Sequence, residues 1–174
     1  MFWTTLLALL FSLSEDILLL FAEKSQLFFT GGLMMFLLAH LMYILIFFKK
    51  QHKQHKQQKG VLFFLLSTLY GGVLFGVLYS GLGDMMIPVI VYMIVILIMA
   101  NTSYRRGGCV SRISFKLVFK GALLFMLSDS LLVYTLFYKT LFLDNVWIMS
   151  TYAIVQLLIA LGILKQEKQL EITG

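Results

Sequence analysis

The sequence predicts an all-α, polytopic membrane protein: a helix bundle with about six transmembrane helices in one integral membrane domain, residues 1–174. Hydrophobic residues make up 60% of the chain and charged residues only 13%, whereas soluble domains average about 25% charged residues. Six apolar stretches approach or exceed the roughly 20 residues that cross the hydrocarbon core of a bilayer. The chain has one Pro and no long polar region that would form a separate soluble domain.

Short polar segments separate the six predicted spans. The first span begins almost at the start of the sequence, and no small-residue cleavage site follows it. This pattern favours a retained spanning helix over a signal peptide. The predicted bounds are near 3–22, 27–48, 60–80, 85–101, 117–138 and 146–164.

Basic residues are unevenly divided between the two sides of the predicted bundle. The segments 49–59 and 105–120 and the tail after residue 164 place twelve of the 14 Lys and Arg residues on one side, which leaves Lys24 and Lys139 on the other. Cytoplasmic loops carry the excess of Lys and Arg. We therefore expect both termini in the cytoplasm, in a bacterial inner membrane or its equivalent. The net charge of +6 then reflects topology and contact with membrane lipids, and no nucleic-acid partner is predicted.

The basic segment "KKQHKQHKQQK" at 49–59 also contains His52 and His55. This segment is either a solvated loop whose positive charge sets the membrane orientation or a weak metal site. The chain has one Cys and only one other His, which do not make a zinc site. No metal or other cofactor is predicted, and one Cys cannot form an intramolecular disulfide.

Polar side chains inside the predicted spans are the candidates for function. The stretch "FMLSDSLLVY" places Asp129 in an apolar run, where a carboxylate costs roughly 2.5–3.5 kcal/mol to insert. The stretch "FSLSEDILLL" repeats this feature with Glu15 and Asp16. A cost of this size indicates a functional site. Other polar residues within the spans are His40, Tyr43, Tyr70, Tyr92, Ser128, Tyr134, Tyr152 and Gln156.

Helix geometry sorts these candidates by depth and by face. At a rise of about 1.5 Å per residue, Asp16 and Asp129 lie about 9 Å and 13 Å from the same end of their spans. Tyr152 and Gln156 fall at a similar depth and share one helix face. Glu15 and Asp16 point about 100° apart, so both cannot face one site well. One of the two acids can instead be a structural partner of a tyrosine.

Several of these residues also have a purely structural interpretation. His40, with Tyr43 three residues further on, can join two helices through a hydrogen bond. Gln156 can either join helices or contact a substrate. Tyr70 and Tyr92 are expected to be packing or interface residues.

Residues 81–84, "GLGD", match the short GxGD pattern of intramembrane aspartyl proteases. Those enzymes also need a Tyr-Asp pair on the preceding helix and a later Pro-Ala-Leu, and neither occurs here. Asp84 falls at the start of a predicted helix, where Asp is a common N-cap. We expect capping by Asp84 rather than proteolysis.

Taken together, the polar stretches resemble those of the YhhN-like lysoplasmalogenase family, which is related to transmembrane protein 86. The resemblance covers nearly the whole chain. Its most specific parts are "KGALLFMLSDSLLV" around Asp129, the pair His40 and Tyr43, and the pair Tyr152 and Gln156. The family usually has Gly-Asp where this chain has Glu15 and Asp16. It also usually has eight helices, and the two further ones would precede Met1.

The resemblance implies hydrolysis of the vinyl-ether bond of lysoplasmalogens, which releases a fatty aldehyde and a glycerophospho-base. It implies Asp16 and Asp129 as the catalytic pair. Two carboxyl groups in a low-dielectric site can supply both an acid and a base, as in glycoside hydrolysis, where a pair of carboxyl groups flanks an oxocarbenium-like transition state. His40, Tyr43, Tyr152 and Gln156 would hydrogen-bond the lysophospholipid substrate or orient water.

Two other function classes stay open from the sequence. In a small proton-coupled transporter, Asp16 and Asp129 would carry protons, although the sequence lacks the repeated halves and broken helices of many transporters. In a non-catalytic membrane protein of the same family, the buried acids would only bond to tyrosines. The sequence does not indicate an oligomeric state.

Overall fold

The computed structural model describes residues 2–21, 24–49, 58–139 and 144–173, and these residues form six α-helices, two 3₁₀ turns and no strand. Five of the helices are long and apolar enough to cross a membrane, and the sixth carries a shorter apolar stretch, Ser150–Gln166. The predicted all-α membrane bundle is therefore confirmed. The helices are α1 (Phe2–Leu20), α2 (Gln26–Phe48), α3 (Gln58–Leu78), α4 (Met86–Arg105), α5 (Arg112–Phe137) and α6 (Asp144–Thr173).

The polar residues at the end of α4 and the start of α5 make local side-chain hydrogen bonds. Helix α4 runs past its predicted limit at residue 101 to Arg105, and the hydroxyl groups of Thr102 and Ser103 donate back to the carbonyl groups of Met99 and Ala100. Ser111 caps α5 by accepting from the amide of Ser114 at 3.2 Å. Helix α5 therefore starts several residues before the apolar pattern does.

The GxGD segment does not cap α4. Residues Gly83–Met85 form a 3₁₀ turn in which Gly83 has φ +46°, a conformation that favours glycine. Met85 occupies the N-cap position, and no side chain caps the helix. Because the turn precedes the helix, Asp84 lies before the cap and is exposed. The predicted capping role of Asp84 was therefore wrong.

Consecutive helices pack in pairs, α1 with α2, α3 with α4 and α5 with α6, and α4 also contacts α2 and α5. The α5–α6 contact is close because it is built on small residues. A Cβ atom added at Gly162 would lie 2.6 Å from Cγ2 and 3.1 Å from the backbone nitrogen of Val118. Small residues at helix interfaces in membranes allow this kind of approach, and it holds the polar residues of α5 against those of α6.

The end of the bundle at which α2 and α4 end and α5 begins is called the basic end, because Lys49, Arg105 and Arg112 lie there. The segment 50–57, with His52 and His55, lies outside the described residues. Large apolar side chains are exposed around the bundle, most evenly on α3, as in a helix surrounded by lipid. The chain is thus a multi-pass membrane protein, and the assignment of its two sides stays a prediction.

Candidate functional site

The buried face of α1 decides which of the two adjacent acids points into the protein. One stripe of α1 faces the bundle, with members spaced three or four residues apart and each at most 8% exposed: Thr5, Ala8, Ser12 and Glu15. Asp16 follows about 100° further round the helix and is partly exposed. Glu15 therefore enters the core, and Asp16 lies at its edge.

A network of hydrogen bonds centred on Gln156 joins α1, α2 and α6. Its Oε1 accepts from the hydroxyl of Tyr43 at 2.6 Å, and its Nε2 donates to Ser12 Oγ at 2.9 Å and to the Tyr152 oxygen at 3.0 Å. The hydroxyl of Tyr152 in turn donates to Oε2 of Glu15 at 3.4 Å. The amide of Gln156 is thus held in one orientation, and the hydrogen-bond network ends at the carboxyl group of Glu15.

Asp129 lies on α5 at the same level and is 4% exposed. Its neighbour Ser128 shares a 2.8 Å hydrogen bond with Thr151 of α6, which fixes the two helices against each other. Oδ2 of Asp129 and the hydroxyl of Tyr92 lie near enough to interact with each other, yet neither makes a hydrogen bond of good geometry with any described residue. Leaving such a group unpaired costs about 1–3 kcal/mol, so both atoms are suited to bind a substrate or water.

The carboxyl groups of Glu15 and Asp129 are close enough for their charges to interact. In the part of the chain that the structure describes, no Lys or Arg acts on either of them. These two acids and the network beside them are called the carboxyl cluster, which consists of Ser12, Glu15, Tyr43, Asp129, Tyr152 and Gln156.

Aromatic rings and His40 form one wall of the carboxyl cluster. Nδ1 of His40 donates to the carbonyl of Phe36 at 2.8 Å, and its ring stacks on Phe36 at 4.1 Å and meets the edge of Phe125 at 4.5 Å. Its Nε2 has no hydrogen-bond partner within the described ranges. A neutral imidazole bonded in this way keeps Nε2 as a buried acceptor.

Asp129 also lines a partly open groove between α3, α4 and α5, called the Asp129 groove. Its polar members are Tyr70, Tyr92 and Ser130, and the hydroxyl of Tyr70 donates to Ser130 at 2.8 Å. Tyr92 and Val133 also border a second, partly open cavity, which lies towards the end of the bundle opposite the basic end. Apart from these groups, the groove is lined by glycine and aliphatic side chains: Gly71, Leu74, Met93, Ile96, Leu97, Met126 and Val133.

The structure brings together five of the six residues predicted for the site, and the sixth, Asp16, lies at the edge, where its charge acts on Glu15 and Tyr152. Their catalytic and binding roles stay predictions. Sequence reasoning did not place Ser12 or Tyr92 in the site. Ser12 could have been found from its spacing of three residues from Glu15, whereas nothing in the sequence separates Tyr92 from a packing tyrosine. The five residues are His40, Tyr43, Asp129, Tyr152 and Gln156.

The described residues contain no group of three His, Cys, Asp or Glu side chains placed to hold a metal ion. Searches of curated protein sequences and of solved structures found no significant match to this chain. The family model described as "YhhN family" matches residues 1–163. This match covers nearly the whole sequence, including every residue of the carboxyl cluster, and the chain therefore belongs to the YhhN family.

Proposed function

We propose that this protein is a lysoplasmalogenase-like membrane hydrolase. It cleaves the vinyl-ether bond of a lysoplasmalogen to give a fatty aldehyde and a glycerophospho-base, the reaction that the sequence resemblance implies. The observation that supports it best is the position of Asp129, a buried carboxyl group with one unpaired oxygen beside a largely apolar groove.

Vinyl-ether hydrolysis requires what a pair of carboxyl groups offers. One group must protonate a carbon atom of the double bond, and another must activate the attacking water molecule. Asp129 on α5 would supply one of these groups and an acid of α1 the other. The resemblance implies that the α1 acid is Asp16. Because two close carboxyl groups titrate as a pair, neither is assigned as the fixed acid or base.

The surroundings of Asp129 suit a lipid with one chain. The alkenyl chain would lie in the Asp129 groove against aliphatic side chains, which places its polar end at the carboxylate. His40 keeps an unpaired acceptor for a glycerol hydroxyl or water. Gln156 and Tyr43 already form a hydrogen bond with each other. In this proposal they therefore position Tyr152, and they bind substrate only if the hydrogen bond between them breaks.

The test is release of fatty aldehyde by the protein purified in mild detergent. An alkenyl lysophospholipid is the substrate, and the matching alkyl and acyl lipids are controls for the vinyl-ether bond. We expect aldehyde from the alkenyl lipid alone. Asp129→Asn should lower the rate by about 10²–10⁴-fold, the contribution of an acid–base group, with little change in thermal stability.

Asp84→Asn is the matched control, because Asp84 is an exposed acid outside the carboxyl cluster. It should leave both the rate and the stability unchanged. A folded wild-type protein that releases no aldehyde, or full activity in Asp129→Asn, would contradict the proposal. Proton-dependent flux in liposomes would then test the transporter alternative.

A further inference from the structure

Glu15 and Asp16 are adjacent in sequence but occupy different environments. Glu15 is 3% exposed and belongs to the buried stripe of α1, whereas Asp16 is partly exposed beside that stripe. A helix presents only one of two neighbouring positions to a given site. Of these two acids, only Glu15 belongs to the carboxyl cluster, although the charge of Asp16 acts on Glu15 and Tyr152.

The contacts of Glu15 lead to Asp129 through α6. Oε2 of Glu15 accepts from Tyr152, and the ring of Tyr152 meets Phe125 edge-on with centroids 5.8 Å apart. Phe125 lies one helical turn before Asp129 on α5. The charge of Asp129 acts on Glu15, and no basic side chain in the described residues neutralises either carboxyl group.

We infer that Glu15, rather than Asp16, is the α1 carboxyl group that acts together with Asp129, and this inference rests on the proposed hydrolase function. Two buried carboxyl groups whose charges act on each other do not both ionise readily. When the pair holds a single proton, one group is an acid and the other is a base. Asp16, at the edge of the bundle, lies outside this pair.

The reaction balances with this pair and one water molecule. The protonated carboxyl group gives its proton to the β-carbon of the vinyl ether, and the double-bond electrons form the new C–H bond. The ether oxygen shares a lone pair to give an oxocarbenium ion. The carboxylate takes a proton from water as the water oxygen bonds to the cationic carbon. The resulting hemiacetal loses its hydroxyl proton as its bond to the glycerol oxygen breaks. The glycerol oxygen takes up a proton, and the aldehyde leaves. The two carboxyl groups again hold one proton between them.

The experiment compares four proteins in the aldehyde assay: wild type, Glu15→Gln, Asp16→Asn and Asp129→Asn. Gln at position 15 keeps an oxygen that accepts from Tyr152, so the hydrogen bond survives while proton exchange is lost. We expect Glu15→Gln to lower kcat at least about 10²-fold, as Asp129→Asn does, with thermal unfolding in detergent unchanged. Asp16→Asn should lower kcat by less than about tenfold, short of an acid–base contribution.

Glu15→Asp separates catalysis from packing, because it keeps a carboxyl group and shortens the side chain. It should retain more activity than Glu15→Gln even if it is the less stable protein; a purely structural role predicts the reverse. If Glu15→Gln does not fold, Asp16→Asn and Glu15→Asp decide the matter. An inactive but folded Asp16→Asn protein would overturn the inference.

The outcomes also separate this inference from the proposed function. If the wild type makes no aldehyde, the hydrolase proposal fails and the inference falls with it. If the wild type is active, Asp129→Asn is inactive and Glu15→Gln is active, the hydrolase stands and only the assignment of Glu15 is wrong.

Discussion

Two buried polar clusters share α2 and differ in how they hold their charge. Tyr43 belongs to the carboxyl cluster, and Phe47, one turn further on, covers Arg106; the two rings stack with centroids 6.3 Å apart. The second group is called the Arg106 cluster and consists of Phe47, Arg106, Ser114 and Gln166. One cluster thus holds two acids without a cation, and the other holds a cation without an acid among the described residues.

The Arg106 cluster encloses its charge. Arg106 is 0% exposed, and its Nη2 donates to Oε1 of Gln166 and to Ser114 at 3.4 Å. Its guanidinium lies 5.0 Å from the centre of the Phe47 ring. Burial lowers the pKa of Arg106 to about 10, which leaves it charged at neutral pH. Neither cavity described above touches it.

This comparison teaches that burial of a charge does not by itself mark a reactive site. Arg106 lies beside the basic end, where its stem fills space and its head meets an aromatic face. Asp129 lies in mid-helix and lines a groove of mostly apolar side chains. The first arrangement indicates stability and the second indicates chemistry, and variants in each cluster can test the difference.

The largest expected effect on stability comes from Arg106→Ala. The change removes a fully buried side chain and its contact with Phe47. We expect the free energy of unfolding to fall by about 2–5 kcal/mol, the range for truncating a large buried side chain. Aldehyde release per folded molecule should not change. Unfolding in detergent and the aldehyde assay measure the two quantities on the same samples.

Arg106→Met is the matched variant, because it keeps a long side chain and removes the charge. Since no carboxylate pairs with Arg106 among the side chains that the structure describes, Met should recover most of the stability that Ala loses. Equal losses in Ala and Met would mean that the charge or its hydrogen bonds, and not packing, stabilise this end. A loss of turnover in either folded variant would break the contrast between the clusters.

A smaller loss of stability is expected for Gly162→Ala. The new Cβ atom would press on Val118 of α5, and overpacking of this kind costs about 1–3 kcal/mol. The carbonyl of Gly162 also accepts from Ser114 at 2.6 Å, so the strain falls on the Arg106 cluster. We expect lower thermal stability with nearly normal turnover.

Gly76→Ala controls for the loss of glycine itself. A Cβ atom at Gly76 meets nothing within 4 Å, so this change should be neutral or should stabilise α3 by up to about 1 kcal/mol. Similar losses at Gly76 and Gly162 would show that the close approach of α5 and α6 is not what stabilises the pair.

The sequence predicted the helices and the choice of Asp129 as a candidate site residue, because both depend on local signals. The signal for a helix is an apolar length of about 20 residues, and the signal for Asp129 is a charge within an apolar run. It did not predict which acid of α1 faces inward. In a soluble helix, polar residues mark the outer face. On α1 the lipid-facing side chains, such as Leu7 and Leu13, are as apolar as the core, so the apolar pattern does not show how the helix is rotated.

Contacts between helices supply that rotation. Glu15 faces inward because Ser12 and Tyr152 bond across to the same network, and these partners are more than 130 residues apart in the chain. Tyr92 was expected to be a packing residue for the same reason. Its position beside Asp129 depends on how α4 meets α5, which no local pattern encodes.

The smallest expected effect tests whether the Gln156 network positions the carboxyl cluster. Tyr43→Phe removes the 2.6 Å hydrogen bond to Oε1 of Gln156, and losing a hydrogen bond of this kind costs about 0.5–1.5 kcal/mol. The control is Tyr104→Phe, which removes a hydroxyl near the basic end, from a ring stacked on Phe63 with centroids 4.7 Å apart. With Gln156 free to turn, Tyr152 loses its fixed orientation towards Glu15. Turnover should therefore fall in Tyr43→Phe, by less than in Asp129→Asn, and stay normal in Tyr104→Phe. If both variants change turnover equally, the network supports the fold without positioning the acids.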